Sequence, residues 1–551
     1  MTRLAIVGID GATYQIIRPL VAAGELPHIA RVLRQGAWGV LESETPPITP
    51  PAWVSMMTGV NPGRHGIFHF IRRQLGSYQT PLNDASHFAG KDIHAVLGRR
   101  GWSVGSLAVP MTYPPQPQPG GYQVAGIPCP LDARLVSDSP ETAAAMERVI
   151  GRPYRPDVDY AAYDGDHEPA ADDLDQYQRL REELFAVERE RLEVAKALLR
   201  ERPTDFYFTV VSITDRCQHY FWKFQDRGHA GWTEEGARRY AEVIGDAYRL
   251  ADEFVGAVRE AVGEDCPVAL VSDHGFGPQH GDFHANRWLE EQGFLVRRRH
   301  APCWTLARTS VGAVLGKLGL AGLARLLGPL ARIPLWRPWR KPRPDLDDVD
   351  WSRTQAYQAL HGLCVNLEGR EPLGCVPPAG FHAVLDALEA RLGELRLPDG
   401  SAALDFCVRG GDFYRGPRAA EAPDLQYQMG GIAWLPKDDW DAAALFTPRR
   451  HAAISGTHRF DGVFAVSGPG VASRELDGMH IRDTTPTLLS VVDEPVPSWM
   501  EGRVLDGVLR SGRDPTFVEE DEPGVQAAST SYSDEQAAAI EESLRGLGYL
   551  Q

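Results

Sequence analysis

The chain has 551 residues, 43% of them hydrophobic and 24% charged, with a formal net charge of −17. This composition can bury a large core, and its acidic balance argues against a nucleic-acid polymer as partner, since that needs basic surface to displace counterions. Seven dispersed cysteines without a C-x-x-C pair read as reduced thiols, and no run of about eighteen apolar residues is available to span a membrane.

The chain opens on an apolar strand at residues 4–9, with no basic n-region or cleavage site before it. With the reduced thiols, this gives a cytoplasmic expectation. A turn at Asp10 and Gly11 leads into a helix ending near Gly24, a second helix at 27–35 and a strand at 38–41. Residues 110–121, PMTYPPQPQPGG, are too rich in Pro and Gly for regular structure. Residues 172–202 read as a long charged amphipathic helix feeding a β-branched strand at 206–211. A further helix at 235–262 precedes a strand at 268–271. Near the end, 463–466 is strand-like and 484–492 helix-like, and the acidic last thirty residues read as a mobile stretch closing in a short helix.

This alternation predicts an α/β fold of three layers, α/β/α, with a central, mainly parallel sheet. One segment interrupts it. Residues 296–344 contain no Asp or Glu but eleven Arg and Lys, which reads as a basic cap inserted into the fold. The expected organisation is a first part of the catalytic core at 1–295, the cap at 296–349, a second core part at 350–515 and an acidic tail at 516–551.

Five stretches place a carboxylate, imidazole or hydroxyl beside a predicted strand end: Asp10 in LAIVGIDGAT, Asp215 and His219 in VVSITDRCQHYFW, Asp273 and His274 in ALVSDHGFG, His458 in ISGTHRFDGVFAV, and Thr49 in PPITPPAWVSMMTG. Each alone has a plainer role. A strand-end Asp caps the next helix, an Asp and His four apart hydrogen-bond locally, and Thr49 before Pro50 is a good N-cap. Together they point to a site, because the loops at the carboxyl ends of parallel strands converge on one crevice.

The sequence resembles the alkaline phosphatase superfamily, in its type I phosphodiesterase/nucleotide pyrophosphatase branch. The resemblance is carried by GIDGAT, TPPAWVSMMTG with NPGRHGIF, VPMTYPP, TDRCQHYFW, SDHGFGP, DWSRTQAY, GTHRFDGVF, and PTLLSVV with GRVL. It implies an alkaline phosphatase-like fold and a hydrolase acting on a small phosphoester. It further implies two divalent metals, one held by Asp215, His219 and His458, the other by Asp10, Asp273, His274 and the Thr49 oxygen. Imidazole mixed with carboxylate suits zinc, with manganese an alternative. Thr49 becomes the nucleophile, since a hydroxyl is weak until a metal lowers its pKa, and its place at a helix start adds backbone N–H groups facing the phosphoryl oxygens.

One position departs from the pattern. Relatives carry an Asn shortly after HGI that contacts the phosphoryl group, whereas HGIFHF places Phe70 there. His69 and Arg64 are the candidate replacements for substrate binding.

Other readings fit less well. A haloacid dehalogenase motif needs an Asp where Gly8 stands, a sulfatase needs Cys or Ser before x-P-x-R, and the dinucleotide pattern G-x-G-x-x-G is missing. Two alternatives stay open: a phosphomutase on the same fold, and a catalytically silent scaffold binding an anionic partner through the basic segment.

Overall fold

The computed structural model describes residues 1–118, 120–159, 173–298, 348–440, 442–450, 452–512, 514–524, 532–546 and 549–550. The basic segment read from the sequence lies outside the described residues from position 299 onward.

Three hydrophobic hexapeptides build the centre of the molecule. Strand β1 (Leu4–Ile9) runs parallel to β5 (Phe206–Val211), and β5 parallel to β3 (Val104–Val109). Every residue of the three is buried, as a sheet covered by helices on both faces requires. The parallel core extends to β4 (Tyr122–Ala125) on one side and β6 (Val268–Val271) on the other. Beyond β6, β9 (Asp461–Ser467) is antiparallel to both β6 and β2 (Ala37–Glu42). Two-residue strands on β2 complete a nine-stranded sheet among the described residues. The expected α/β architecture is therefore present, with a mainly parallel sheet and one reversed strand.

Local rules account for the flanking elements. Thr13 caps the helix Tyr14–Ala22 by accepting from the Gln15 amide, and Pro27 starts the helix Pro27–Gln35. The long amphipathic helix spans Leu174–Glu201. The helix expected at 235–262 is two helices, Glu234–Tyr240 and Val243–Val262, interrupted at Ala241 and Glu242. Residues 110–118, 120 and 121 form neither helix nor strand, as their prolines dictate. The acidic C-terminal stretch does close in a helix, Asp534–Gly546.

A smaller antiparallel sheet is formed by Ala356–Ala359, Gly362–Val365, Leu425–Met429 and Leu404–Arg409. It packs with the helix Phe381–Gly393 around its own core, which includes Leu363, Leu385, Leu388 and Tyr427. The six described cysteines are all free thiols, and no described helix is long and apolar enough to cross a membrane.

One contact ties the sheet to what stands at its carboxyl edge. The helix Thr49–Thr58 lies against β1, and Trp53 fills the space where Gly8 has no side chain. A Cβ at Gly8 would meet Trp53 Cη2 at 2.5 Å and Val210 Cγ2 at 2.8 Å. Trp53 is fully buried, and its indole N–H donates to Asp10 Oδ2 at 3.3 Å. Gly8 thereby sets how closely Thr49 and Asp10 approach. Overpacking at such a contact costs about 1–3 kcal/mol. Gly8→Ala is expected to lower unfolding stability by that amount in a denaturant titration and to depress activity more than stability alone explains. Wild-type behaviour on both counts would show that the helix does not depend on this glycine.

Candidate metal centre

Thr49, Asp10, Asp215 and the pair Asp273–His274 stand just beyond the carboxyl ends of β2, β1, β5 and β6. The four strands run in the same direction, since β2 and β6 are each antiparallel to β9. Asp215 and His219 are one turn apart in the helix Ile213–Gln225, so their side chains lie on the same face. His458 arrives differently. After His274 the chain forms a short strand, β7 (Gly275–Pro278), which pairs antiparallel with β8 (Gly456–Arg459) and sets His458 opposite Phe276.

These residues meet in one buried cluster. Single ligand atoms of Asp215, His219 and His458 lie within 4.8 Å of one another, and so do those of Asp10, Asp215 and His274. Asp215 Oδ1 is 3.4 Å from Nε2 of both His219 and His458. Asp273 Oδ2 joins the second group, 3.1 Å from His274 Nε2. The Asp215 carboxylate is thus common to both groups, where the sequence-level division gave it to one.

The protonation pattern follows from the partners. Nδ1 of His219, His458 and His274 lies 3.0, 2.9 and 3.1 Å from the carbonyls of Gly456, Pro47 and Gly275. A carbonyl only accepts, so each Nδ1 carries the proton, and in a neutral ring Nε2 then presents a lone pair. Burial pushes the His274 pKa down, and that of His458 to about 4, which keeps both rings neutral. Yet Nε2 of His219 and Nε2 of His458 approach to 3.1 Å. At that separation a proton or a metal cation has to lie between the two nitrogens.

The carboxylates make the same demand. Asp10 Oδ1, Asp215 Oδ1 and Asp273 Oδ2 are buried and accept no hydrogen bond. Burial, reinforced by repulsion from neighbouring carboxylates, pushes the pKa values of Asp10 and Asp273 well up. Their outer oxygens are satisfied: Gly11 N–H donates to Asp273 Oδ1 at 3.2 Å, and Arg216 Nη1 to Asp215 Oδ2 at 2.9 Å. Unsatisfied oxygens and imidazole lone pairs converging in a dry pocket fit divalent cations. Backbone and side-chain partners behind the ligands fix their orientation.

Thr49 Oγ1 lies 3.4 Å from His274 Nε2. The cap position of its helix is taken by Ile48, and Thr49 is the first helical residue, so its hydroxyl is not used as an N-cap. The residue is completely buried. The candidate substrate contacts fare less well. Arg64 is paired with Glu522 at 2.5 Å and Glu501 at 3.6 Å, and donates to the Trp499 carbonyl. His69 is buried, and burial pulls its pKa down to about 4, so it is neutral. Its ring meets that of His361 at 4.8 Å. His361 and Leu360 form a two-residue turn with φ of +59° and +49°, a conformation that side-chain-bearing residues adopt only under local strain.

A family model described as type I phosphodiesterase/nucleotide pyrophosphatase matches residues 4–461. The chain belongs to this family. It is a phosphodiesterase-family hydrolase of the alkaline phosphatase superfamily, acting on phosphoric ester bonds in metal-dependent chemistry. No curated protein matches it. Among solved structures, this phosphodiesterase-family chain is similar to phosphonoacetate hydrolase from Sinorhizobium meliloti 1021 in complex with phosphonoformate. The identity is 14% and the TM-score 0.53, with 89% of this chain and 96% of that one covered. It is also similar to the wild-type alkaline phosphatase PafA, at 13% identity and a TM-score of 0.51, with 92% and 99% covered. At these identities the likeness concerns the fold.

Metal binding should stabilise this hydrolase, because it relieves repulsion among groups already buried. Stripping divalent ions with a chelator is expected to lower the melting temperature. Restoring zinc or manganese at about a thousandfold over the dissociation constant should return about 4 kcal/mol for each ion bound. A melting curve unchanged by chelation, in protein shown to be metal-free, would contradict this.

Proposed function

We propose that this chain is a two-metal phosphodiesterase, with zinc or manganese at the centre, acting on a small phosphoester through a covalent phosphothreonine at Thr49. The observation that supports it best is the position of Thr49, buried at a helix start with its hydroxyl 3.4 Å from His274 Nε2, a member of the ligand group of Asp10 and Asp215. Asp215, His219 and His458 would hold one ion, and Asp10, Asp273, His274 and Thr49 the other. Bound there, the ions supply Lewis acidity that activates oxygen nucleophiles and neutralises developing negative charge.

The chain's own groups do the rest. The Thr49 hydroxyl gives up its proton to solvent and Oγ forms a bond to phosphorus as the bond to the leaving oxygen breaks, while the departing alkoxide takes up a proton from solvent. Water then cleaves the phosphothreonine and restores the hydroxyl. Pro50 and Pro51 have no N–H and the Ala52 amide donates to the Ile48 carbonyl, so the helix start offers the Thr49 amide and the positive end of its dipole to the transferred group. Asp10 is held in register by Trp53, and each His by its carbonyl.

Preference for a diester over a monoester rests on charge. A monoester dianion gains from a cation at its third oxygen. Arg64 is committed to two glutamates, and His69 is neutral. Neither supplies that cation, and a diester monoanion needs it less. The folds that resemble this one carry a phosphonoacetate hydrolase and an alkaline phosphatase, so architecture by itself does not select the leaving group. The free thiols support a reducing, cytoplasmic setting.

Thr49→Ala is expected to reduce kcat/KM by about a thousandfold or more, some 4 kcal/mol of transition-state stabilisation, with metal content retained. Thr49→Ser should keep measurable turnover. On one wild-type preparation, bis-p-nitrophenyl phosphate should be hydrolysed with the higher kcat/KM than p-nitrophenyl phosphate. Near-normal turnover by the alanine variant removes Thr49 as the nucleophile, and a hundredfold preference for the monoester removes the diesterase reading.

A further inference from the structure

The C-terminal residues, whose sequence suggests only an acidic tail, reach the metal centre. Beyond the helix Asp534–Gly546, the Tyr549 amide donates to the Leu544 carbonyl at 2.9 Å. Tyr549 is buried, at 5% exposure. Its phenol donates to Asp215 Oδ2 at 2.9 Å and accepts from Arg216 Nη1 at 3.3 Å. The ring lies against Phe70, with centroids 4.8 Å apart, and within 5.7 Å of the His219 and His458 rings.

This arrival is held by further contacts. Ile540, Leu544 and Leu550 are buried in the main core. The Tyr220 hydroxyl donates to the Gly546 carbonyl. Upstream, Tyr532 stacks on Tyr113 with centroids 5.1 Å apart, and its hydroxyl donates to the carbonyls of Asn83 and Pro128. The segment is docked on both sides of the helix, so the Tyr549 contact is a built one.

The two oxygens of Asp215 have different surroundings. Oδ1 faces the imidazoles and accepts no hydrogen bond, whereas Oδ2 is held by Arg216 and Tyr549. A carboxylate gripped at one oxygen cannot rotate freely about its terminal bond, so the other oxygen stays aimed into the cluster. We propose that Tyr549 is a positioning residue of the metal centre, fixing Asp215 so that Oδ1 faces the ion shared with His219 and His458. The C-terminal segment is therefore a part of the active site. This inference rests on the two-metal reading above.

Tyr549→Phe separates the phenol from the ring. It removes one hydrogen bond to Asp215 and keeps the contacts to Phe70, His219 and His458. Affinity for the two ions is measured by zinc titration against a chelating indicator in wild-type and variant protein, beside melting of the metal-free forms. Loss of a partner that orients a ligand weakens metal binding by about 10–100-fold. The variant should show that loss at one of the two sites, with the other site and the metal-free melting temperature near wild type. In bis-p-nitrophenyl phosphate assays at limiting zinc, kcat should fall more than KM rises, and excess zinc should recover part of it. Equal weakening at both sites with a lowered metal-free melting temperature would mark a packing role, and unchanged affinity at both would mark no role. Either result overturns the inference while leaving the two-metal reading intact. Wild-type protein that takes up no zinc would instead defeat both.

Discussion

Three carboxylates and three imidazoles are buried together in this molecule, and their repulsion is the constraint around which the carboxyl edge of the sheet is organised. Moving an ionised carboxylate out of water costs several kcal/mol unless a partner compensates. Asp10, Asp215 and Asp273 each keep one oxygen without a hydrogen bond. The Nε2 atoms of His219 and His458 face each other at 3.1 Å, with each Nδ1 committed to a carbonyl. Arg216 offsets part of the charge through Asp215 and Asp157. The rest is a standing electrostatic demand for cations, and it is what connects the fold to hydrolysis of phosphoric esters.

The scaffold meets that demand by rigidity. Asp10, Asp215 and Asp273 leave strands that are buried on both faces and paired in register. The imidazoles are fixed from behind by backbone carbonyls, which leave one tautomer available. Thr49 is positioned through packing, by way of Trp53 against Gly8. The same indole that sets the depth of the Thr49 helix also holds Asp10, so Thr49 and Asp10 move as a unit. Groups held this way need little reorganisation when charge develops.

Much of this was legible in the sequence because its signals are local. A short apolar run followed by Asp, as at Ile9–Asp10 or Val271–Asp273, marks both a buried strand and a side chain at its carboxyl end. The Asp215/His219 spacing marks one helical face. The Pro-rich segment after Val109 announced its irregularity. What escaped reading depends on distant partners. Tyr549 contacts Asp215 across 334 residues, and nothing in GLGYL indicates that its phenol would be buried beside a carboxylate. His458 was legible as a residue before a strand, but the pairing of β8 with β7 that delivers it was not, since each strand has only four residues. The break at Ala241–Glu242 was hidden by good helix formers on both sides. Arg64 lies close to Thr49 in sequence, yet its guanidinium is drawn to Glu522 and Glu501, partners that no local pattern connects to it. His69 kept its place in the motif but not the charge asked of it, because burial keeps the imidazole neutral.

The central claim is that this cluster is two adjoining cation sites. Anomalous diffraction from crystals soaked in zinc, recorded above and below the zinc edge, locates such ions without reference to activity. Two peaks are expected, one bounded by Asp215, His219 and His458 and the other by Asp10, Asp273, His274 and Thr49, roughly 3.5–4 Å apart. A single peak, or strong peaks only at surface carboxylates with this cluster empty, would contradict it.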